Sequence, residues 1–408
     1  MSAAAADIVR TQAPRGRFRP ELELLFTCTA GLLTAGRRRR VDALLGEPLD
    51  WKFLVHFAQQ HGLAALFFWS LQDFQDAIPA RTLDRLKTNF ETNARKNLLL
   101  WHLSLEVQGL LECQGVQCIA LKGPTLAANL YGDVALREFF DVDILVRPRD
   151  VSRARSVLVS ARLDPTTDVH PRHEPAYLKS ANELGFHRGP HRNILELQWQ
   201  ITPRYYAIDF DVEELFRRAT LVRLSEVPFR TLSPEDLLLV ACVHAAKHAW
   251  TRLAWLCDMA WLLRSQNLNW YEIGRQAERL GIERILLVTL GLARNFFQAA
   301  LPAHLEADVN RDRSVCLLRD EIGERILREP TMPASQRNYF LLMCRLRERW
   351  RDRVRLVTRL ALNRRSSDWS THRVLERFAP AYFFVRTCRV MIKICRESVH
   401  SFAREGRV

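Results

Sequence analysis

Apolar positions change their period twice along the chain, and the changes divide it into helical flanks around an α/β middle. From Glu21 the spacing of Leu22, Leu24, Leu25, Leu32 and Leu33 is helical, and the arginine run at 37–40 reads as a solvated turn. Asp50 is placed to cap a helix carrying Trp51, Leu54, Val55 and Ala58 and ending near Gly62. Residues 86–110 form a longer amphipathic pattern through Leu98, Trp101, Leu105 and Leu110. The period then shortens. Strands are expected at 116–121 and 140–146, with a helix at 124–131 whose proline sits where it removes no helical hydrogen bond, and another helix at 149–162. After a polar segment at 164–175, residues 183–187 and 193–201 suggest a hairpin around Gly189-Pro190. Its second strand puts Leu195, Leu197 and Trp199 on one face and Ile194, Glu196 and Gln198 on the other.

Helical spacing returns at Ser233, which with Asp236 makes a start resembling a capping box. Segments 237–250, 253–263, 270–280 and 282–300 then predict a bundle that ends at Leu301-Pro302. Within it Asn269-Trp270 repeats the layout of Asp50-Trp51, with Ala277 and Gly281 at the offsets of Ala58 and Gly62, so the two flanks read as units of similar construction. The expected class is α+β.

Composition narrows the setting. The 408 residues are 48% hydrophobic and 26% charged, which suits a globular chain of two or three units with ample length for a core. No apolar run reaches the length of a membrane span, and the start, with Asp7 and then Arg15, Arg17 and Arg19, lacks a signal-peptide core, so a cytoplasmic protein is expected. Nine cysteines with no CxxC pair point to reduced core residues. The formal charge of +14 is uneven: from Arg345 onward 17 Lys and Arg face 6 Asp and Glu. That tail offers a surface for an anionic partner, although solvated helix faces account for much of it.

The candidate chemistry lies between Leu121-Lys122-Gly123-Pro124 and Asp141-Val142-Asp143. Residues two apart on a strand share a face, so Asp141 and Asp143 point together at the space before the glycine turn, and two such acids bind Mg²⁺ or Mn²⁺. A glycine turn opening a helix suits phosphate, Lys122 and Arg137 add positive charge, and Glu196 is the candidate third acid. His244 and His248 share a helix face at zinc-ligand spacing, but Ala245 stands where an HExxH site has Glu. Packing of the bundle against the α/β part is the plainer reading, and His244, Lys247 and His248 are candidate cleft contacts beside it.

These residues carry a resemblance. Leu121-Lys122-Gly123, Leu130-Tyr131-Gly132-Asp133, Arg137 and Asp141 to Val146 resemble the core signature of the polymerase-beta-like nucleotidyltransferase superfamily, and most specifically its uncharacterised bacterial nucleotidyltransferase family. The resemblance extends to Glu196 to Trp199, to His244 to His248 with Leu253, Trp255 and Asp258, and to Ser367-Asp368-Trp369. With composition and periodicity it divides the chain into a flexible arm over 1–20, a helical region over 21–112, a nucleotidyltransferase core over 113–230, a bundle over 231–305 and a basic helical tail over 306–408. It also implies transfer of a nucleoside monophosphate from an NTP to an acceptor, with Asp141, Asp143 and Glu196 as metal and catalytic acids and with Lys122, Gly123, Thr125 and Arg137 addressing the nucleotide. Pro124 replaces the Gly or Ser usual after the loop glycine, which removes a backbone donor and shifts phosphate contact to Lys122 and Thr125. A small molecule, peptide or saccharide is the expected acceptor. Two other readings stand beside this one: an inactive scaffold with the same fold, and an enzyme that modifies tRNA through the basic tail.

Overall fold

Alternation along the central strands decides the architecture. In the computed structural model, which describes residues 18–362 apart from 168–173, 190, 225–226, 329–331 and 334, seven strands form one mixed sheet: β1 (Cys118–Ala120), β2 (Val142–Val146), β3 (Asp164–Pro165), β4 (Glu183–Arg188), β5 (His191–Gln198), β6 (Thr220–Leu224) and β7 (Val227–Thr231). Their order is β3-β4-β5-β2-β1-β7-β6. The β2–β5 and β1–β7 pairs are parallel and the others antiparallel. Val142, Ile144 and Val146 of β2 share a face with Leu195 and Leu197 of β5 and Leu184 and Phe186 of β4. They bury it against Trp101, Val107 and Leu111 of the helix Ala80–Cys113 and Leu158 of the helix Val151–Ser160. On the opposite face Leu145 joins the core of the helical flanks, while Asp143, Glu196, Gln198 and Glu183 leave the rest polar to line a cleft.

The flanks are helical, as the periodicity predicts, and the class is α+β. The helices Trp51–Gln60 and Trp270–Leu280 are built alike: Asp50 accepts from the Phe53 amide at 2.9 Å and Asn269 from the Glu272 amide at 3.1 Å, and Gly62 and Gly281 follow at φ +70° and +65°. The N-terminal helices and the bundle share one hydrophobic core. Phe26 packs on Phe296 and Phe297, and the Trp261 indole donates to the Thr29 carbonyl at 2.9 Å. The arginine run is not a turn. It lies in the helix Ala35–Leu45, where Arg38 pairs with Asp73 and Arg40 with Glu23, so neighbouring acids and not water alone accommodate the charge. Strands β6 and β7 and the helices Ala64–Ser70 and Val212–Arg218 are further elements absent from the periodicity reading.

Among the described residues no helix is long and apolar enough to cross a membrane, and all seven cysteines are free thiols. The part of the basic tail beyond residue 362, including Ser367-Asp368-Trp369, lies outside the described residues.

One buried ion pair joins the sheet to the bundle. The Arg137 guanidinium donates through Nε and Nη2 to both carboxylate oxygens of Asp258, at 3.0 to 3.1 Å, and Tyr131 Oη donates to the same carboxylate at 2.7 Å. Two buried amides of the long helix fix the approach: Asn97 Nδ2 donates to the Val134 and Arg137 carbonyls, and Asn93 Nδ2 to those of Ala135 and Arg137. Breaking such a pair leaves a charge buried alone. Arg137→Met should therefore destabilise the protein by about 3–5 kcal/mol in denaturant unfolding, and Arg137→Met with Asp258→Leu should recover much of that loss.

Candidate active site

The site begins with the turn after β1. The Leu121 amide donates to the Asp143 carbonyl at 3.0 Å, extending the β1–β2 ladder by one residue. The chain then reverses at Gly123, whose φ of +68° and ψ of −134° suit only glycine, and a Cβ there would lie 2.9 Å from the Asp141 carbonyl oxygen. Pro124 opens the helix Pro124–Tyr131 at its first position. The glycine thus seats the turn directly on the backbone of the first acid.

Register supplies the rest of the floor. Asp143 lies opposite Glu196 in the parallel β2–β5 pair, and Gln198 lies opposite Glu183 in the antiparallel β4–β5 pair. Directly opposed residues share a face, so Asp143, Glu196, Gln198 and Glu183 converge on one side of the sheet. Asp143 is only 1% exposed. Its Oδ1 accepts from Gln198 Nε2 at 2.8 Å and pairs with Lys122 Nζ at 3.1 Å, while Oδ2, equally buried, has no hydrogen-bond partner.

Electrostatics follow from this crowding. Burial, reinforced by Asp143, pushes the Glu196 carboxyl up to about 8 and that of Asp141 up to about 6. Burial acts to lower the Lys122 ammonium, but Asp143, Asp141 and Glu196 outweigh it and raise the group. The floor therefore holds more acid than its one adjacent lysine neutralises.

The facing wall comes from the bundle. His244 and Lys247 of the helix Pro234–Lys247, then His248, Arg252 and Trp255, line the same cleft, which has a volume of about 310 Å³. The His244 and His248 rings lie 4.7 Å apart, and each packs on Trp255, at 5.1 and 5.3 Å. Burial holds both imidazoles neutral, with Lys122 and Lys247 adding to it; His248 falls to about 4 and His244 well below its ordinary value. At the rim Phe140 is 55% exposed, with Lys96 Nζ 4.0 Å and the Arg252 guanidinium 5.3 Å from its ring centroid.

Asp141, Asp143, Glu196, Lys122, Gly123, Arg137, His244, Lys247 and His248 thus all line one cleft. Thr125 does not. Its helix turns the side chain into the interior, where Oγ1 is buried without a partner, and this removes Thr125 from the nucleotide contacts that the motif implies. Arg137 reaches the cleft, but three of its hydrogen bonds are committed to Asp258. Glu183, Phe140 and Arg252 line the cleft without having been singled out from sequence. Glu183 had a usable signal, since hairpin parity places it on the Glu196 face; Phe140 and Arg252 had none.

The sequence model of a family described as uncharacterised nucleotidyltransferase matches residues 47–298, well over half the chain and all of this cleft. The chain belongs to that family. Comparisons with curated proteins and with solved structures find no match. For a member of the nucleotidyltransferase family the metal question bears on Asp141 and Asp143. Among the described residues no group of three or more His, Cys, Asp or Glu side chains is arranged to hold a metal ion. Mg²⁺ does not require one, because it takes one or two carboxylates and completes its octahedron with phosphate oxygens and water. A buried acceptor without a donor, Asp143 Oδ2, beside an acid raised chiefly by burial and then by Asp143, is a donor set that fits such an ion.

Two outcomes follow from this geometry. Gly123→Ala should lower the unfolding free energy by about 1–3 kcal/mol, read in a denaturant titration, because the alanine must either adopt a glycine-only conformation or displace Asp141. Glu196, raised when folded, ionises in the unfolded chain first, so its stabilising contribution is complete below its ordinary pKa and is lost as pH rises toward about 8. Below about pH 6.5 the buried neutral histidines, protonated only in the unfolded chain, oppose this loss, so metal-free protein should melt at progressively lower temperature from about pH 7 to 8, and Glu196→Gln should flatten that slope.

Proposed function

We propose that this chain is a Mg²⁺-dependent nucleotidyltransferase, with Mn²⁺ serving in its place, that moves a nucleoside monophosphate from an NTP to an acceptor hydroxyl or phosphate and releases pyrophosphate. The observation that carries the reading is the pairing of Asp143 with Glu196 across β2 and β5, with Asp141 alongside and Asp143 Oδ2 unpartnered, on the polar face of the sheet within the family-matched segment.

Asp141 and Asp143 would hold the ion, which when bound supplies positive charge to the phosphates. Lys122, raised by the acids around it, stays charged beside them and would hold Asp143 ionised next to the ion. Glu196 shares the Asp143 face, and its ionised form, which a bound cation favours, would take the proton of an attacking hydroxyl. The acceptor oxygen forms a bond to the α-phosphorus as the bond to the bridging oxygen of pyrophosphate breaks, and orientation and charge do most of the work. A cleft of about 310 Å³ suits a small molecule, a peptide end or a saccharide as acceptor.

Incubating the purified protein with labelled NTPs, Mg²⁺ and cell extract, and following pyrophosphate and labelled product, tests this. Asp143→Asn should lower the rate by roughly 100-fold or more while the fold is kept. Unchanged NTP and Mn²⁺ binding after Asp141→Ala with Asp143→Ala would overturn the assignment, and folded protein that never labels any product would favour the scaffold.

A further inference from the structure

The glycine turn is poorly built for phosphate. Gly123 is seated on the Asp141 carbonyl, Pro124 has no N–H to offer, and Thr125 Oγ1 is buried away from the cleft. Nor are the two motif cations free: Lys122 pairs with Asp143 and Arg137 with Asp258. An NTP still brings several negative charges, and its terminal phosphates need positive partners.

The facing wall supplies them. Lys247 and Arg252 line the cleft and, among the described residues, form no ion pair. Glu138 attracts Arg252 and Lys96 but ion-pairs with neither. The charges pressing on the neutral His248 ring are Lys247, Lys122 and Arg252, which shows that these cations converge on one region. Their backbone is held hard. Between them Ala249 and Trp250 both adopt positive φ, +50° and +51°, a conformation that non-glycine residues keep only where the surroundings impose it. Trp250 is fully buried and donates through Nε1 to Thr289 Oγ1 at 3.1 Å. Tyr339 Oη donates to the Lys247 carbonyl at 2.7 Å, and Arg325 Nη2 to that of Ala249 at 2.5 Å. A strained corner pinned on both sides thus carries two cations that form no ion pair, Lys247 and Arg252, the second over the Phe140 ring, in the wall facing the carboxylate floor.

We propose that Lys247 and Arg252 form the subsite for the terminal phosphates of the NTP, and hence for the departing pyrophosphate, in place of the glycine turn. This rests on the nucleotidyl-transfer reading. Calorimetric titration of the full chain with inorganic pyrophosphate, an NTP and the corresponding NMP, each with Mg²⁺, tests it. Lys247→Gln and Arg252→Gln should each weaken pyrophosphate and NTP binding roughly tenfold or more and leave NMP binding unchanged, Arg252→Lys should keep most of the affinity, and Thr125→Val should change nothing. If the wild type binds pyrophosphate and NTP and the folded Gln variants bind them equally tightly, the subsite is wrong while the functional reading stands. Wild-type protein that binds neither ligand overturns both.

Discussion

A carboxylate buried in the middle of a sheet is the constraint around which the centre of this protein is arranged. Asp143 is almost wholly removed from water in β2, and an ionised group so placed must find positive charge and donors close by. Gln198 reaches it from β5 and Lys122 from the end of β1, so the order β5-β2-β1 is also the order in which its partners are delivered. For Lys122 to return over β2, the chain must reverse within one residue. Only glycine permits the conformation and the close approach to Asp141 that this reversal uses. The glycine of the motif is explained by that approach alone, without any phosphate.

The second constraint is what the polar face meets. Arg137 and Asp258, both buried, fasten the loop before β2 to the helix Leu253–Ser265, and Asn93 and Asn97 hold that loop from the long helix behind it. Buried ion pairs add little net stability but tolerate only one arrangement of their partners. Because the N-terminal helices share a core with the bundle, the wall carrying Lys247 and Arg252 is set by the same packing that sets Arg137. Sheet floor and bundle wall are therefore registered against each other.

Much of this was legible because it is periodic or local. The polar face of the hairpin, the Asp141–Asp143 strand and the caps at Asp50 and Asn269 are expressed within a few residues, and hydrogen bonds or register in the structure account for them. What was hidden depends on distance along the chain. Arg137 and Asp258 are 121 residues apart, and nothing near either names the other. The arginines at 37–40 look like a turn until Glu23 and Asp73 are seen to accept their charge. Thr125 looked like a phosphate contact because the helix expected from Pro124 leaves the facing of its first turn open, and in the structure that helix turns the side chain inward.

The remaining step concerns the sign of the cleft. Its floor is acidic and its wall basic, yet the wall's two histidines are neutral, because burial and neighbouring cations both disfavour their protonation. Protonating either one would add positive charge beside Lys122, the group that stabilises Asp143. Neutral rings packed on Trp255 instead leave the charge of the wall on Lys247 and Arg252, which line the same cleft. Opposed surfaces of this kind disfavour a purely anionic or purely cationic guest, since each would be repelled by one side. A guest that brings its own cation to the floor and keeps its excess negative charge at the wall satisfies both, and a nucleoside triphosphate carrying a divalent ion has that distribution.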